Sequence, residues 1–525
     1  MDNHQEHQIS GAFGSIGSHD IGSRKGIRAR VLTLLAIIGP GLIVMVGDND
    51  AGGVSTYAQA GQDFGFTLLW VLPLLIPVLV VVQEMVARLG AVTGVGHGRL
   101  IRERFGRTWG NVSISSILFL NFLIIITEFI GISLSMRYFG ISPLVSVPVA
   151  VILLFAVTAS GSFQRWERFM MLFVAVNFVI VPLVWTAHPH VSTLASHFVV
   201  PGIRGGATSA AVLLIISIIG TTVAPWQLYF QQSNIVDKKI TPRWLNYERV
   251  DTILGSFIVV VGASAIVATA AALSPHGSTS SFHDALGVAH GLSRYVGHGS
   301  GALFAVLLLN SSVIGAAAVT LASSYAMGDF SSNALSASLN SRLRDAKGFF
   351  GAFAALLALA GTVALIPHAP LGLITLAVQA ICGLMLPSTT INVLLLCNDR
   401  ELMGPWVNTK WLNVVAVLIV ATLVVLSITM MVSTLFTGVN VVALLATLFS
   451  LAGAALVVGL PIGLRRRVPT APYSGDRRDW RTPRLALLAP PPASRPRQLL
   501  MRAQFVYLSV AGALLVVRIV QLATS

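Results

Sequence analysis

Apolar residues dominate the chain in blocks of about twenty, parted by short polar connections. A helix rises about 1.5 Å per residue, so about twenty apolar residues cross the hydrocarbon core of a bilayer. The pattern predicts thirteen spans, near 31–62, 66–92, 112–139, 142–160, 167–187, 208–234, 250–273, 301–328, 346–366, 371–397, 411–436, 439–463 and 502–523. Two of them are interrupted. Gly47-Asp48-Asn49-Asp50-Ala51-Gly52-Gly53 sets two carboxylates and three glycines inside the first. Lipid cannot hydrogen-bond freed backbone groups, so such a break must face protein or a watery cavity, and a carboxylate there marks a functional site. The sixth span contains Gly220-Thr221-Thr222-Val223-Ala224-Pro225-Trp226-Gln227, where the proline removes a helical hydrogen bond. Matched interruptions five spans apart point to a transporter built from inverted repeats. The first break then reads as half of a cation site at mid-membrane depth.

Composition agrees with this pattern. The chain is 55% hydrophobic and 10% charged, with a mean hydropathy of +0.80; a soluble protein carries about a quarter charged residues. The net charge of +14 could suggest nucleic acid, but its distribution excludes that reading. With the N-terminus inside, 30 of the 34 lysines and arginines fall on one side of the membrane, all except Arg137, Arg204, Arg294 and Arg518. That asymmetry predicts a multi-pass protein of the cell membrane with a cytoplasmic N-terminus. Met1 to Ser23 is polar and lacks the apolar core of a cleavable signal. Cys382 and Cys397 are the two cysteines, in or at the end of one span, and make no disulfide framework. The chain divides into a polar N-terminus (1–30), a transport core (31–397), two further spans (398–463), a basic linker (464–501) that reads as a solvated cytoplasmic loop, with contact to anionic lipid the alternative, and a last segment (502–525). That segment reads as a thirteenth span, with lying on the membrane surface as the alternative. Nothing in the sequence specifies an oligomeric state or a resident cofactor.

Several segments resemble one family, the Nramp divalent-metal transporters. Gly39-Pro40-Gly41-Leu42 opens the first span; the stretch Ala60 to Trp70 resembles the link to the second; Ala87-Arg88-Leu89-Gly90 and Thr93-Gly94 close that span. Glu128-Phe129-Ile130-Gly131 resembles the third-span motif, and Asn398-Asp399-Arg400-Glu401-Leu402-Met403-Gly404 follows the tenth span. The resemblance implies a LeuT-type inverted repeat of five plus five spans, broken in spans 1 and 6, with two or three C-terminal spans added. It also implies a transporter rather than an enzyme. The departures carry the specificity. The family's Asp-Pro-Gly-Asn motif is here Asp50-Ala51-Gly52-Gly53, and its Met-Pro-His motif is Ala224-Pro225-Trp226. These changes look like the magnesium-transporting Nramp-related branch. A thioether sulfur is a soft ligand suited to transition metals. Mg²⁺ keeps several waters and binds through one or two carboxylates, so Gly53 and Ala224 suit a roomier, harder site. The expected ligands are Asp50, the Gln379 amide oxygen and, by carry-over from the family, backbone carbonyls near Thr221. Asp48 and Asn49 are accessory candidates. Trp226 either shapes the site or packs between helices with its N–H bonded.

Typical family members move protons with the metal. The matching third-span acid position is Ile125, and the sixth-span histidine positions are Trp226 and Gln231. None of these titrates, and a relay needs a group that does. Glu128 alone remains of the set, either lining an aqueous path or holding two spans together. The expectation is uptake of Mg²⁺, and also Mn²⁺, without proton coupling. The alternatives are a proton-coupled Mn²⁺/Fe²⁺ symporter and a sodium-coupled organic-solute symporter. Glu84 and Arg88, four apart, read as a surface ion pair. Eight histidines on the outer side (His188, His190, His197, His276, His283, His290, His298, His368) read as plain loop residues, with metal collection the alternative. No Gly-x-x-x-x-Gly-Lys phosphate loop is present.

Overall fold

The computed structural model describes residues 8–17, 26–189, 191–274, 282–330, 339, 343–344, 346–436, 438–465, 473–488 and 495–524. His190, His276, the ends of the N-terminal segment and Pro490–Pro492 lie outside them. A hairpin of β1 (Gln8–Gly11) and β2 (Gly14–Gly17) precedes the helices. Then come α1 (Ile27–Ile37), α2 (Pro40–Val46), α3 (Ala51–Phe64), α4 (Val71–Thr93), α5 (His97–Phe105), α6 (Arg107–Tyr138) and α7 (Pro143–Thr158). The middle of the chain forms α8 (Phe163–Val176), α9 (Ile180–Ala187), α10 (Val191–Val199), α11 (Ser209–Thr222), α12 (Pro225–Asp237), α13 (Leu245–Ala270) and α14 (Ala285–Tyr295). The rest is α15 (His298–Phe330), α16 (Lys347–Ala364), α17 (Leu371–Cys397), α18 (Arg400–Met403), α19 (Lys410–Leu435), α20 (Val441–Arg465) and α21 (Arg495–Thr524). Among the described residues ten helical segments are long and apolar enough to cross a membrane, and α1 with α2 makes an eleventh, bent pair. This is the nearly all-α, LeuT-type membrane fold that the family resemblance implied.

Both predicted interruptions are present, between α2 and α3 and between α11 and α12. A third was not foreseen. The apolar run 31–46 is two helices bent by 59° at Ile38–Gly39. The elbow is tied from both sides by residues some two hundred positions away. Asp251 on α13 accepts from the N–H groups of Gly39 (3.1 Å), Gly41 (2.8 Å) and Leu42 (3.1 Å), meeting the free donors at the start of α2. Lys238, just past α12, donates to the carbonyls of Ile37 (2.8 Å) and Ile38 (3.1 Å), meeting the free acceptors at the end of α1, and pairs with Glu167 of α8 at 2.6 Å. Gly39 is required there: its φ is 153°, and a β-carbon would collide with the Glu167 carboxylate.

Around these breaks α13 packs on α2 and α3, α6 on α15, and α11 on α17. Gly220 permits the last approach, because a β-carbon there would fall 2.6 Å from the Gly383 backbone. α7 has 16 residues, short for its predicted span. α21 is helical over Arg495–Thr524, the stretch that contains the thirteenth predicted span. It runs along α17 and α19, where Tyr507 donates to the Leu384 carbonyl.

One polar reading is refined and one corrected. Residues 473–488 of the basic linker are largely exposed, as in a solvated loop, but they are also pinned to the bundle. Thr482 donates to the carbonyls of Leu402 (2.7 Å) and Val92 (3.3 Å), the Trp406 indole donates to the Arg477 carbonyl (2.9 Å), and Arg243 pairs with Asp479 (2.8 Å). The Glu84–Arg88 pair exists at 3.2 Å but is not at the surface. The Arg88 side chain is buried and also donates to the Trp406 carbonyl and to Asn408. Desolvating the guanidinium demands these extra acceptors.

Candidate metal site

The site is built where α2 stops and α3 starts. Asp50 is the residue before α3, in extended backbone, and its Oδ1 accepts from the Gly53 N–H at 2.7 Å, an N-cap contact. Glu128 of α6 reaches the same turn, its Oε2 accepting from the Ala51 N–H at 3.1 Å. Two carboxylates thus sit at the positive end of one helix. Gly315 of α15 lets its backbone close over both: a β-carbon there would lie 2.5 Å from Glu128 Oε2 and 3.0 Å from Asp50 Cβ. Asp50 is 3% exposed, and among the described residues it makes no ion pair with a basic side chain.

Gln379 of α17 packs on Gly52 so closely that a β-carbon there would collide with its amide. A β-carbon at Gly53 would lie 3.4 Å from Thr221 Oγ1 and 2.7 Å from the Asp48 carbonyl. The first-break glycines therefore bring Gln379 and Thr221 against the turn that holds Asp50. On the opposite strand of the site, Pro225 has no N–H to give the Thr221 carbonyl four residues earlier, so that oxygen is left without its helical partner. Ala224, 2% exposed, forms the N-terminal boundary of α12 with no side-chain cap. Trp226 is fully buried, edge-on to Phe230, and covers Gly47. Its indole N–H has no hydrogen-bond partner among the described residues, nor do Thr221 Oγ1, Gln379 Nε2, Glu128 Oε1, Asp48 Oδ2 and Asn49 Oδ1. Buried polar atoms without partners are expensive, and here they gather around the two breaks.

The structure also shows what sequence reading missed. Gln227 donates to Asp48 and, more weakly, to the Thr222 carbonyl (3.5 Å). Gln83 on α4 donates to the Gln227 amide oxygen at 3.0 Å, and Tyr57 meets Thr222 at 2.7 Å. A lone amide inside the apolar run of α4 was the available signal for Gln83. Ile125 is buried in α6. Gln231 bonds Thr252 (2.9 Å) and Glu248 (3.3 Å) of α13. The described outer histidines stay scattered, and among the described residues no three His, Cys, Asp or Glu side chains group as a metal cluster.

Residues 41–433 match the family described as natural resistance-associated macrophage protein-like. The divalent metal cation transporter MntH of Burkholderia ambifaria is 30% identical over 332 residues, covering 59% of this chain and 72% of the relative. The MntH protein of Xanthomonas campestris is 30% identical over 316 residues, 57% of this chain and 69% of the relative. In three dimensions the chain resembles the Eremococcus coleocola manganese transporter crystallised with an aromatic bis-isothiourea compound. The TM-score is 0.63 at 21% identity, over 85% of this chain and 98% of the other. Sequence match and fold agree, and this chain belongs to the Nramp family of integral membrane transporters.

Proposed function

We propose that this transporter carries Mg²⁺, and also Mn²⁺, by alternating access and without a coupled proton. Asp50 is the anchoring ligand. The Thr221 carbonyl and the Gln379 amide oxygen add donors directly or through water, while Gly53, Ala224 and Trp226 shape the cavity. The observation that carries this reading is the donor set at the paired breaks: one capped carboxylate, a carbonyl orphaned by Pro225, and an alanine where a thioether ligand would stand. Hard oxygen donors with room for retained water suit Mg²⁺. We place the protein in the cell membrane with its N-terminus and basic linker in the cytoplasm, because the basic connections gather at that end. Two charges moving through about 100 mV gain roughly 4.6 kcal/mol, enough to drive uptake with no proton.

A second reading is proton-coupled Mn²⁺ or Fe²⁺ transport: the name of the Eremococcus coleocola manganese transporter speaks for Mn²⁺, and Glu128, a titratable group against the Asp50 turn, for a proton. Proteoliposomes holding a trapped pH dye separate the two. Metal entry under an inside-negative potential should leave the lumenal pH at the level of protein-free vesicles. Acidification that tracks metal entry would establish the second reading instead.

A further inference from the structure

We infer that Asp48 is a second cation station, distinct from Asp50, that takes the partly hydrated divalent ion on its way toward the basic end of the bundle. This inference rests on the reading that the ion binds at Asp50. Asp48 is 1% exposed. One of its oxygens accepts from the Gln227 amide, and the other has no partner among the described residues. The neighbouring Asn49 amide oxygen is equally unmet.

Glu248 is matched to Asp48 in contacts, with one amide donor at 3.3 Å and one unmet oxygen, but it stands in the first turn of α13, at the positive end of a helix. The remaining deeply buried carboxylates are better served. Asp251 holds three backbone N–H groups, Glu167 holds Lys238, and Asp237 holds the Tyr325 hydroxyl and the Leu339 N–H. Asp50 and Glu128 each hold an N–H at the positive end of α3. Asp48 instead follows α2, at the negative end of a helix. A carboxylate so placed, with one amide for company, is ionised at low cost only with a cation beside it.

The orientation of Gln227 is fixed. Gln83 donates to its oxygen at 3.0 Å, which commits its NH₂ group to Asp48. Both glutamines are fully buried. Beyond this pair Gln231 and Asn234 continue the same face of α12, four and seven residues on, buried and with unmet oxygens. These carry outer-sphere contacts for a hydrated ion, whereas Asp50 remains the primary anchor.

The test uses the full chain, with Mg²⁺ binding measured by calorimetry in detergent and Mg²⁺ entry measured in liposomes with a trapped fluorescent indicator. Asp50→Asn should lose binding and entry together; if it keeps both, the underlying site reading fails. Asp48→Asn, nearly isosteric, should bind Mg²⁺ within about threefold of the parent and slow entry at least tenfold. Entry at the parental rate would mean a neutral buried carboxyl and would overturn the station. Loss of binding as well would make Asp48 a ligand of the Asp50 site and would overturn it equally. Should Asp48→Asn fail to give a monodisperse protein, Gln83→Met decides, since it leaves both carboxylates in place and frees the Gln227 amide. It should lower the maximal entry rate at unchanged half-saturation, and an unchanged maximal rate would contradict the proposal.

Discussion

Gly53 illustrates how far single residues account for the site. The family motif places an asparagine there. In this backbone a β-carbon at position 53 would press to 2.7 Å from the Asp48 carbonyl, so the missing ligand and the shape of the turn are one fact. The sequence displayed the substitution but not its cause, which lies in the path of the break. Ala224 was legible in the same way, as an alanine where a soft ligand would stand. Its replacement by methionine restores a thioether at the start of α12 and also fills space. Ala224→Met should shift the ratio of Mn²⁺ to Mg²⁺ entry toward Mn²⁺ by tenfold or more, measured by competition in proteoliposomes. An unchanged ratio would remove Ala224 from the specificity argument. Gln83 and Gln227 were not legible, because an amide in a helix reveals nothing of its partner until the helices are packed.

At the scale of elements, the two central breaks were readable from local chemistry: carboxylates and glycines in one, a proline in the other. The elbow at Ile38–Gly39 went unread, although Gly39-Pro40 is a local break signal. What the sequence hides is its anchoring, a buried ion pair and a carboxylate cap delivered from α8, α13 and the end of α12. Lys238 and Glu167 are both fully buried. Removing one partner of such a pair leaves an uncompensated charge and costs about 3–5 kcal/mol, whereas removing both together is far milder. Lys238→Met should therefore lower the stability of the detergent-solubilised protein sharply. The double variant Lys238→Met with Glu167→Gln should recover much of the loss, as read by unfolding midpoints. Equal loss in both would show that the ion pair is not what holds the elbow.

For the whole molecule, the span lengths predicted a bundle of membrane helices because bilayer physics constrains every helix in the same way, and the paired breaks with the family resemblance supplied the inverted repeat. The docked linker escaped notice since its contacts are made by ordinary loop residues to distant carbonyls. Another buried group lies between spans at the same end. His97 of α5 bonds Gln232 at 2.8 Å and sits edge-on to Tyr229, and burial pushes its pKa down from 6.5 to about 4. The unfolded chain then binds a proton that the folded one refuses between those values. Stability from this group is full above pH 6.5 and falls as the pH drops, by roughly 3 kcal/mol at pH 4. Replacing His97 with Gln should flatten that part of the pH–stability curve; a curve as steep as the parent's would place the acid sensitivity elsewhere.

The central claim is that a lone anchoring carboxylate at two broken helices selects a hydrated divalent ion. Initial rates of Mg²⁺, Mn²⁺ and Ca²⁺ entry into proteoliposomes, compared between the parent and Asp50→Ala, test it most directly. The account predicts rapid Mg²⁺ and Mn²⁺ entry in the parent and none above background in the variant. Mg²⁺ excluded by the parent, or carried by the variant at a parental rate, would contradict it.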